Sequence, residues 1–239
     1  MEEQRGKEYH IAVVRVIPFK KKITVGLISM NINRQTLYSC LAVMVFGFIL
    51  FYVGTDGFTA YTAETARVTK LVENQPDFPH VTLEDSEGRK YSISEFKDKY
   101  VFITFIYTGC TTVCIQLEQN MAQVYDLIPK EYLGKDIVFL SISFDPTRDD
   151  PATLDKYKEL FHSDGETWRM ARIPNQSELD RLLEKFGVIV IPDENGNFAH
   201  NSAFYLVDGT GTLVDVLDYR EIQEAGNKLV KILEADKGE

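Results

Sequence analysis

Residues 37–53, L-Y-S-C-L-A-V-M-V-F-G-F-I-L-F-Y-V, form a run without a single charge. At 1.5 Å per residue, a helix of 17 to 19 residues spans about 25–28 Å, the short end of a bilayer crossing. Beyond this run the pattern breaks into shorter units. Residues 55–73 are polar and predict a linker or short helix. Pro76 and Pro79 punctuate the chain, and V-T-L-E-D-S-E-G-R-K-Y-S-I then alternates about a glycine turn, as a hairpin does. Y-V-F-I-T-F-I-Y and I-V-F-L-S-I-S-F are continuous, β-branched and aromatic, the pattern of strands buried on both faces.

Between those two strands Leu117, Met121, Val124 and Ile128 recur at helical spacing. Pro151 opens a helix through Leu154, Tyr157 and Leu160, because a first-turn residue does not need its N–H. Trp168 to Ile173 reads as strand or loop. Ser177 is the expected cap of L-D-R-L-L-E-K-F, and Gly187 its end. A-F-Y-L-V-D-G-T-G-T-L-V-D-V-L predicts a second hairpin, and residues 221–234 a final helix. The order is hairpin, β-α-β-α, helix, hairpin, helix. It predicts an α/β fold, a thioredoxin-like sandwich with a central mixed sheet flanked by helices, plus one N-terminal transmembrane helix.

Charge gives the chain an orientation. Residues 1–54 hold seven Lys/Arg against three Asp/Glu, a net of +4, while the remainder holds 19 against 33, a net of −14. Arg34 and Lys20–Lys22 precede the apolar run, and the first basic residue after it is Arg67. Basic flanks stay in the cytoplasm. The expected organisation is therefore a cytoplasmic segment 1–36, an anchor 37–55, a linker 56–73 and an extracytoplasmic domain 74–239. A single-pass protein of the cell membrane results. A cleaved signal peptide suits the same flanks, but V-G-T-D-G-F-T-A-Y-T-A offers no sharp cleavage site, which favours an uncleaved anchor. Residues 1–29 lack clean periodicity, and Met30, just ahead of N-I-N-R-Q and the apolar run, is a second candidate start beside Met1. An acidic body of this size has no affinity for nucleic acid phosphates.

Three cysteines are too few for a disulfide-framed domain. Cys40 lies within the apolar run, at its start, where a lipoprotein cysteine does not belong. Cys110 and Cys114 leave the first buried strand and open the first helix, where free N–H groups favour anionic sulfur. Two thiols at this spacing share a soft metal or close a disulfide, and the spacing does not choose. Of the four histidines, His10 lies before the anchor, His80 in a pre-strand loop and His162 at a helix end. His200 stands just ahead of a strand expected beside the first, where an imidazole completes a Cys2His set suited to Cu(I) or Cu(II).

Three blocks, Y-T-G-C-T-T-V-C, F-D-P-T-R-D-D-P and A-H-N-S-A-F-Y-L-V-D-G-T-G, resemble in order and separation the signatures of the Sco/SenC copper chaperones. The resemblance covers about residues 74–236. It implies a copper-binding thioredoxin-like protein that assists assembly of the dinuclear CuA centre of cytochrome c oxidase, with the copper-bearing oxidase subunit or another copper or thiol protein as partner. It implies Cys110 and Cys114 as thiolate ligands of copper and as a redox-active disulfide pair, and His200 as the imidazole ligand. Asp145, Pro146, Arg148 and Asp149 match the family's D-P-x-R-D turn and are expected to support the site without ligating. The chain departs from the family at Thr111, Thr112 and Ile115, and at Ala199, where Asp is usual. The expected effect is a loosened loop and a lost carboxylate near the metal.

The competing reading is a membrane-tethered thiol-disulfide oxidoreductase acting without metal. Against it, the cysteine spacing is one longer than C-x-x-C, and Asn201 and Ser202 stand where a cis-proline belongs. A peroxidase of the peroxiredoxin type shares Thr111 to Cys114 but has Tyr107 where its proline should be. Catalysis in the strict sense is left open, with thiol-disulfide reduction the one activity the pair suggests.

Overall fold

The computed structural model describes residues 33–55 and 63–236. The candidate start Met30, His10 and nearly all of the segment 1–36 expected on the cytoplasmic side lie outside the described residues. Helix α1, Arg34–Gly54, is 21 residues long and apolar enough to cross a membrane. Its rise of about 32 Å matches the hydrocarbon thickness.

The rest of the described chain builds one sheet and its helices. In chain order these are α2 (Ala63–Asn74), β1 (Leu83–Asp85), β2 (Lys90–Tyr91), β3 (Tyr100–Ile106), α3 (Val113–Leu127) and β4 (Ile137–Ser143). Then come α4 (Pro151–Glu159), β5 (Trp168–Arg172), α5 (Gln176–Lys185), β6 (Val190–Pro192), β7 (Phe198–His200), β8 (Phe204–Val207), β9 (Leu213–Leu217) and α6 (Ile222–Asp236). The seven-stranded sheet runs β2-β1-β5-β4-β3-β8-β9, with β6 and β7 forming a separate ribbon. Strands β3, β4 and β5 are parallel, and β1 and β8 join antiparallel on either side. Parallel neighbours need crossovers, which α3 and α4 supply; two right-handed crossovers stepping the same way put both helices on one face. This is the mixed, helix-flanked thioredoxin-like sheet that the element order predicts.

The two continuous apolar runs are the central strands for a plain reason. Every residue of β4, and all of β3 after Tyr100, is buried. Phe102 packs edge-on against Phe139 at 5.2 Å and against Phe204 at 4.9 Å, stitching β4, β3 and β8 through their rings. Trp168, 1% exposed, donates its indole N–H to Ser141 Oγ at 3.1 Å, so its polar edge is satisfied inside the core.

Three details differ from the sequence pattern. Most of the expected linker is α2, whose Val68, Leu71 and Val72 pack on the core and which lies against β9. The cap of α5 is Asn175, whose Oδ1 accepts from the N–H groups of Ser177 and Glu178 at 3.0 and 3.3 Å; Ser177 is already helical. A carboxamide two residues earlier reaches two free donors of the first turn, so the helix starts sooner than a serine cap places it. The third is the β6–β7 ribbon, too short and too irregular in polarity to read as strands.

Candidate metal centre

Strand β3 ends at Ile106, and the chain turns before α3. Asp149, fully buried, fixes that turn: it accepts from Thr108 N at 2.9 Å, Thr108 Oγ1 at 2.5 Å and Ser143 Oγ at 2.5 Å. The turn delivers Cys110 to the N-terminus of α3, where its sulfur accepts the Cys114 backbone N–H at 3.3 Å. Both cysteines are free and both are buried, Cys110 5% exposed and Cys114 0%, beneath the exposed Thr111 and Thr112. The first turn of α3 folds both thiols inward.

The two sulfurs differ chemically. Burial pushes the Cys110 thiol up, but the N–H groups of Cys114 and Thr112 outweigh it and hold Cys110 below its ordinary range. Burial drives Cys114 far up, and the nearby Cys110 and Glu118 charges add to it. Cys110 is the thiolate-prone sulfur and Cys114 a retained thiol.

His200 arrives from 86 residues further on, at the end of β7, and its Nε2 lies 3.3 Å from Cys114 Sγ. Its Nδ1 lies 3.0 Å from the Asn201 carbonyl oxygen. A carbonyl only accepts, so Nδ1 carries the hydrogen and Nε2 is left bare, facing the thiol. Burial holds the imidazole below its ordinary pKa and so favours this neutral form. Cys114 and His200 are thus in contact and Cys110 is one hydrogen bond away. Among the described residues, no three His, Cys, Asp or Glu side chains are gathered into a ready-made metal set. His80 and His162 are exposed and take no part, and Cys40 is exposed on α1.

Aromatic rings enclose the imidazole. Phe144 lies 5.0 Å from it, Tyr107 6.5 Å, and Phe198 packs edge-on against both rings. Arg148, paired with Asp145, places its guanidinium over Tyr107 at 5.7 Å and over Phe198 at 5.3 Å. The D-P-T-R-D turn therefore covers and braces the site, as its match implied, without entering it. Ala199 gives a different outcome from the expected lost carboxylate. In β7, Phe198 and His200 face the rings and Ala199 is exposed beside its partner Ile191 on the other face. A carboxylate at 199 would project away from the sulfurs.

Two residues near the site escaped the sequence reading. Glu118 is completely buried on α3, and neither carboxyl oxygen has a hydrogen-bond partner. Burial pushes it from 4.5 up to about 8, with the nearby Ser141 hydroxyl pulling weakly the other way. Its position between Leu117 and Met121, four residues after Cys114, was the available signal. Asn201 is the other, and its contacts carry no sequence signature. A cavity of about 630 Å³ lies at the opposite end of β3, lined by Phe78, His80, Phe96, Val101 and the Asp208–Thr212 turn. It has no part in this chemistry.

Comparison with known proteins agrees with the motifs. Residues 72–234 match the profile of the SCO1/SenC family. The chain is 27% identical over 144 residues to the SCO1 protein homolog of Bacillus subtilis, covering 59% of this chain and 72% of that one. It is 27% identical over 152 residues to the mitochondrial SCO1 of Saccharomyces cerevisiae, covering 62% of this chain and about half, 51%, of the yeast protein. Among solved structures, Arabidopsis thaliana ScoI with copper bound superposes with a TM-score of 0.58 at 21% identity, over 66% of this chain and 98% of that one.

Proposed function

Since this chain belongs to the SCO1/SenC family, we propose that it is a membrane-anchored copper carrier that helps assemble the CuA centre of cytochrome c oxidase, holding copper through Cys110, Cys114 and His200. The observation that carries this reading is the approach of His200 Nε2 to Cys114 Sγ at 3.3 Å, across 86 residues of chain. A dithiol used only for disulfide exchange has no need of a bare imidazole nitrogen there. Two sulfurs and one imidazole form a soft donor set suited to copper, and the protein that superposes from Arabidopsis was crystallised with copper. The basic flank at Arg34 ahead of the apolar helix α1 supports an extracytoplasmic domain, because basic flanks stay in the cytoplasm.

The residues divide the work. Cys110, already thiolate-prone, is the sulfur that meets the ion first. Cys114 must then lose its proton, so loading releases protons and tightens as pH rises. His200 needs no deprotonation, because its Nε2 is already bare. The rings of Tyr107, Phe144 and Phe198 restrict water on the imidazole side.

Titration of the reduced, detergent-solubilised full chain with Cu(II) tests this. One-to-one binding with a thiolate-to-copper charge-transfer band is expected, lost in both His200→Ala and Cys114→Ala. Absence of binding in the wild type refutes it.

A second reading has its own observation: a depressed Cys110 beside a protonated Cys114 is also the arrangement of an attacking and a resolving thiol. If the reduced protein binds no copper yet reduces a partner disulfide with turnover, the thiol-disulfide oxidoreductase reading replaces the first. The two share one cysteine pair, because a Cys110–Cys114 disulfide must be reduced before copper binds.

A further inference from the structure

The ribbon that carries His200 is held by a residue outside the donor set. Asn201 Oδ1 accepts the Ile189 N–H at 2.7 Å, and its Nδ2 donates to the Gly187 carbonyl at 3.2 Å. Its own N–H reaches the Ile189 carbonyl at 3.4 Å, and its carbonyl accepts from His200 Nδ1 at 3.0 Å. One residue thus joins the loop leaving α5 to the strand end that bears the imidazole. The loop starts at Gly187, whose φ of +60° is the left-handed turn that closes α5. A side chain at that position would place Cβ 3.1 Å from Arg67 Nη1.

Arg67 comes from α2. It donates to the same Gly187 carbonyl at 3.1 Å and to the Phe186 carbonyl at 3.4 Å, and Glu64 fixes its guanidinium through Nε at 2.9 Å. The Gly187 carbonyl therefore receives two donors, one from α2 and one from Asn201. The orphan carbonyls of a helix end are satisfied by two side chains that both bear on the His200 ribbon.

We infer that Asn201 is the positioning residue of this site: its carboxamide fixes the ribbon so that the adjacent carbonyl holds His200 with Nε2 toward Cys114, and Arg67 braces the same loop from α2. An imidazole with no such partner at Nδ1 exchanges tautomers freely, and its Nε2–H form then presents an N–H to the sulfur. The outer partner of a ligating histidine characteristically changes metal affinity by about 10–100-fold. The copper arm of the inference rests on the proposed function; the tautomer arm does not.

The test uses the reduced full chain in detergent micelles, ¹⁵N-labelled, without metal and then with Cu(II). In the wild type, the ring ¹⁵N shifts of His200 are expected to report the Nδ1–H tautomer alone. In Asn201→Ala both tautomers appear, the Ile189 amide exchanges at least about tenfold faster, and Cu(II) affinity falls about 10–100-fold. Arg67→Met gives the same changes at smaller size and decides the question if Asn201→Ala does not fold. A folded Asn201→Ala with the wild-type tautomer and Ile189 exchange overturns the inference. If the wild type binds no copper while the tautomer still shifts in Asn201→Ala, the positioning role stands and the copper reading falls.

Discussion

Glu118 lies one helical turn beyond Cys114 on α3, wholly buried and with both carboxyl oxygens unpartnered. Folding moves its pKa from an ordinary 4.5 to about 8, because burial disfavours the charged form. The folded state therefore holds this proton more tightly than the unfolded one. The stability tied to the neutral acid is complete below about pH 4.5, declines as pH rises, and is gone above about pH 8. Between those limits the loss is on the order of 5 kcal/mol. Chemical denaturation of the metal-free chain should show a falling midpoint from pH 5 to 8. Glu118→Gln, which keeps the shape and cannot ionise, should flatten it; an unchanged slope would refute the assignment.

The two cysteines should be distinguishable by rate. Cys110 sits on the N–H of Cys114 while Cys114 is pushed up, so alkylation of the reduced protein near neutral pH should label Cys110 first. Cys110→Ser should leave Cys114 reacting at least about tenfold more slowly, because the thiolate is the nucleophile. Mass mapping of the alkylated peptides reads the order directly. Equal labelling would remove the division of labour.

Asp149 is the brace of the cysteine turn, accepting from Thr108 N, Thr108 Oγ1 and Ser143 Oγ. Truncation to alanine strands those donors in the core, and each hydrogen bond to a charged acceptor is worth about 1.5–3 kcal/mol. Asp149→Ala should lose about 3 kcal/mol or more in urea denaturation. Asp149→Asn, which keeps the shape and one acceptor, should lose less. A neutral Asp149→Ala would contradict the role given to the D-P-T-R-D turn.

Ala199 supplies a control. Its side chain is exposed, opposite the face that His200 presents to Cys114. Ala199→Asp should therefore leave Cu(II) affinity within about threefold of the wild type, since an exposed charge beyond a strand is heavily screened. A larger gain, measured by competition with a chelator of known strength, would show that residue 199 reaches the metal after all.

Much of this molecule was legible in its sequence, for identifiable reasons. Strands β3 and β4 were plain because a strand buried on both faces leaves an unbroken apolar run. The approach of His200 to the cysteine turn was expected because the strand that follows it joins the sheet beside the first, and β8 does pair with β3. What stayed hidden depends on packing and not on pattern. The inward fold of Cys110 and Cys114 is decided by how α3 begins, and the exposed Thr111 and Thr112 between them masked it. Glu118 is an acidic residue on a helix, a type that is mostly exposed. The docking of α2 rests on Val68, Leu71 and Val72, too sparse in a polar stretch to declare a buried face. Asn201 works through hydrogen bonds to Gly187 and Ile189 that only the tertiary structure brings within reach.

The 86-residue separation of Cys114 and His200 also sets an order of events. Two thiols four residues apart exist from the moment that stretch is synthesised, whereas the imidazole joins them only after β4, β5 and the β8 pairing have closed a long loop. Loop closure is paid for in chain entropy before any contact rewards it. A newly made chain is therefore a bare dithiol, open to oxidation, until its last strands dock. Sheet completion and thiol oxidation therefore compete on a newly made chain, and the faster of the two decides whether His200 meets two thiols or a disulfide.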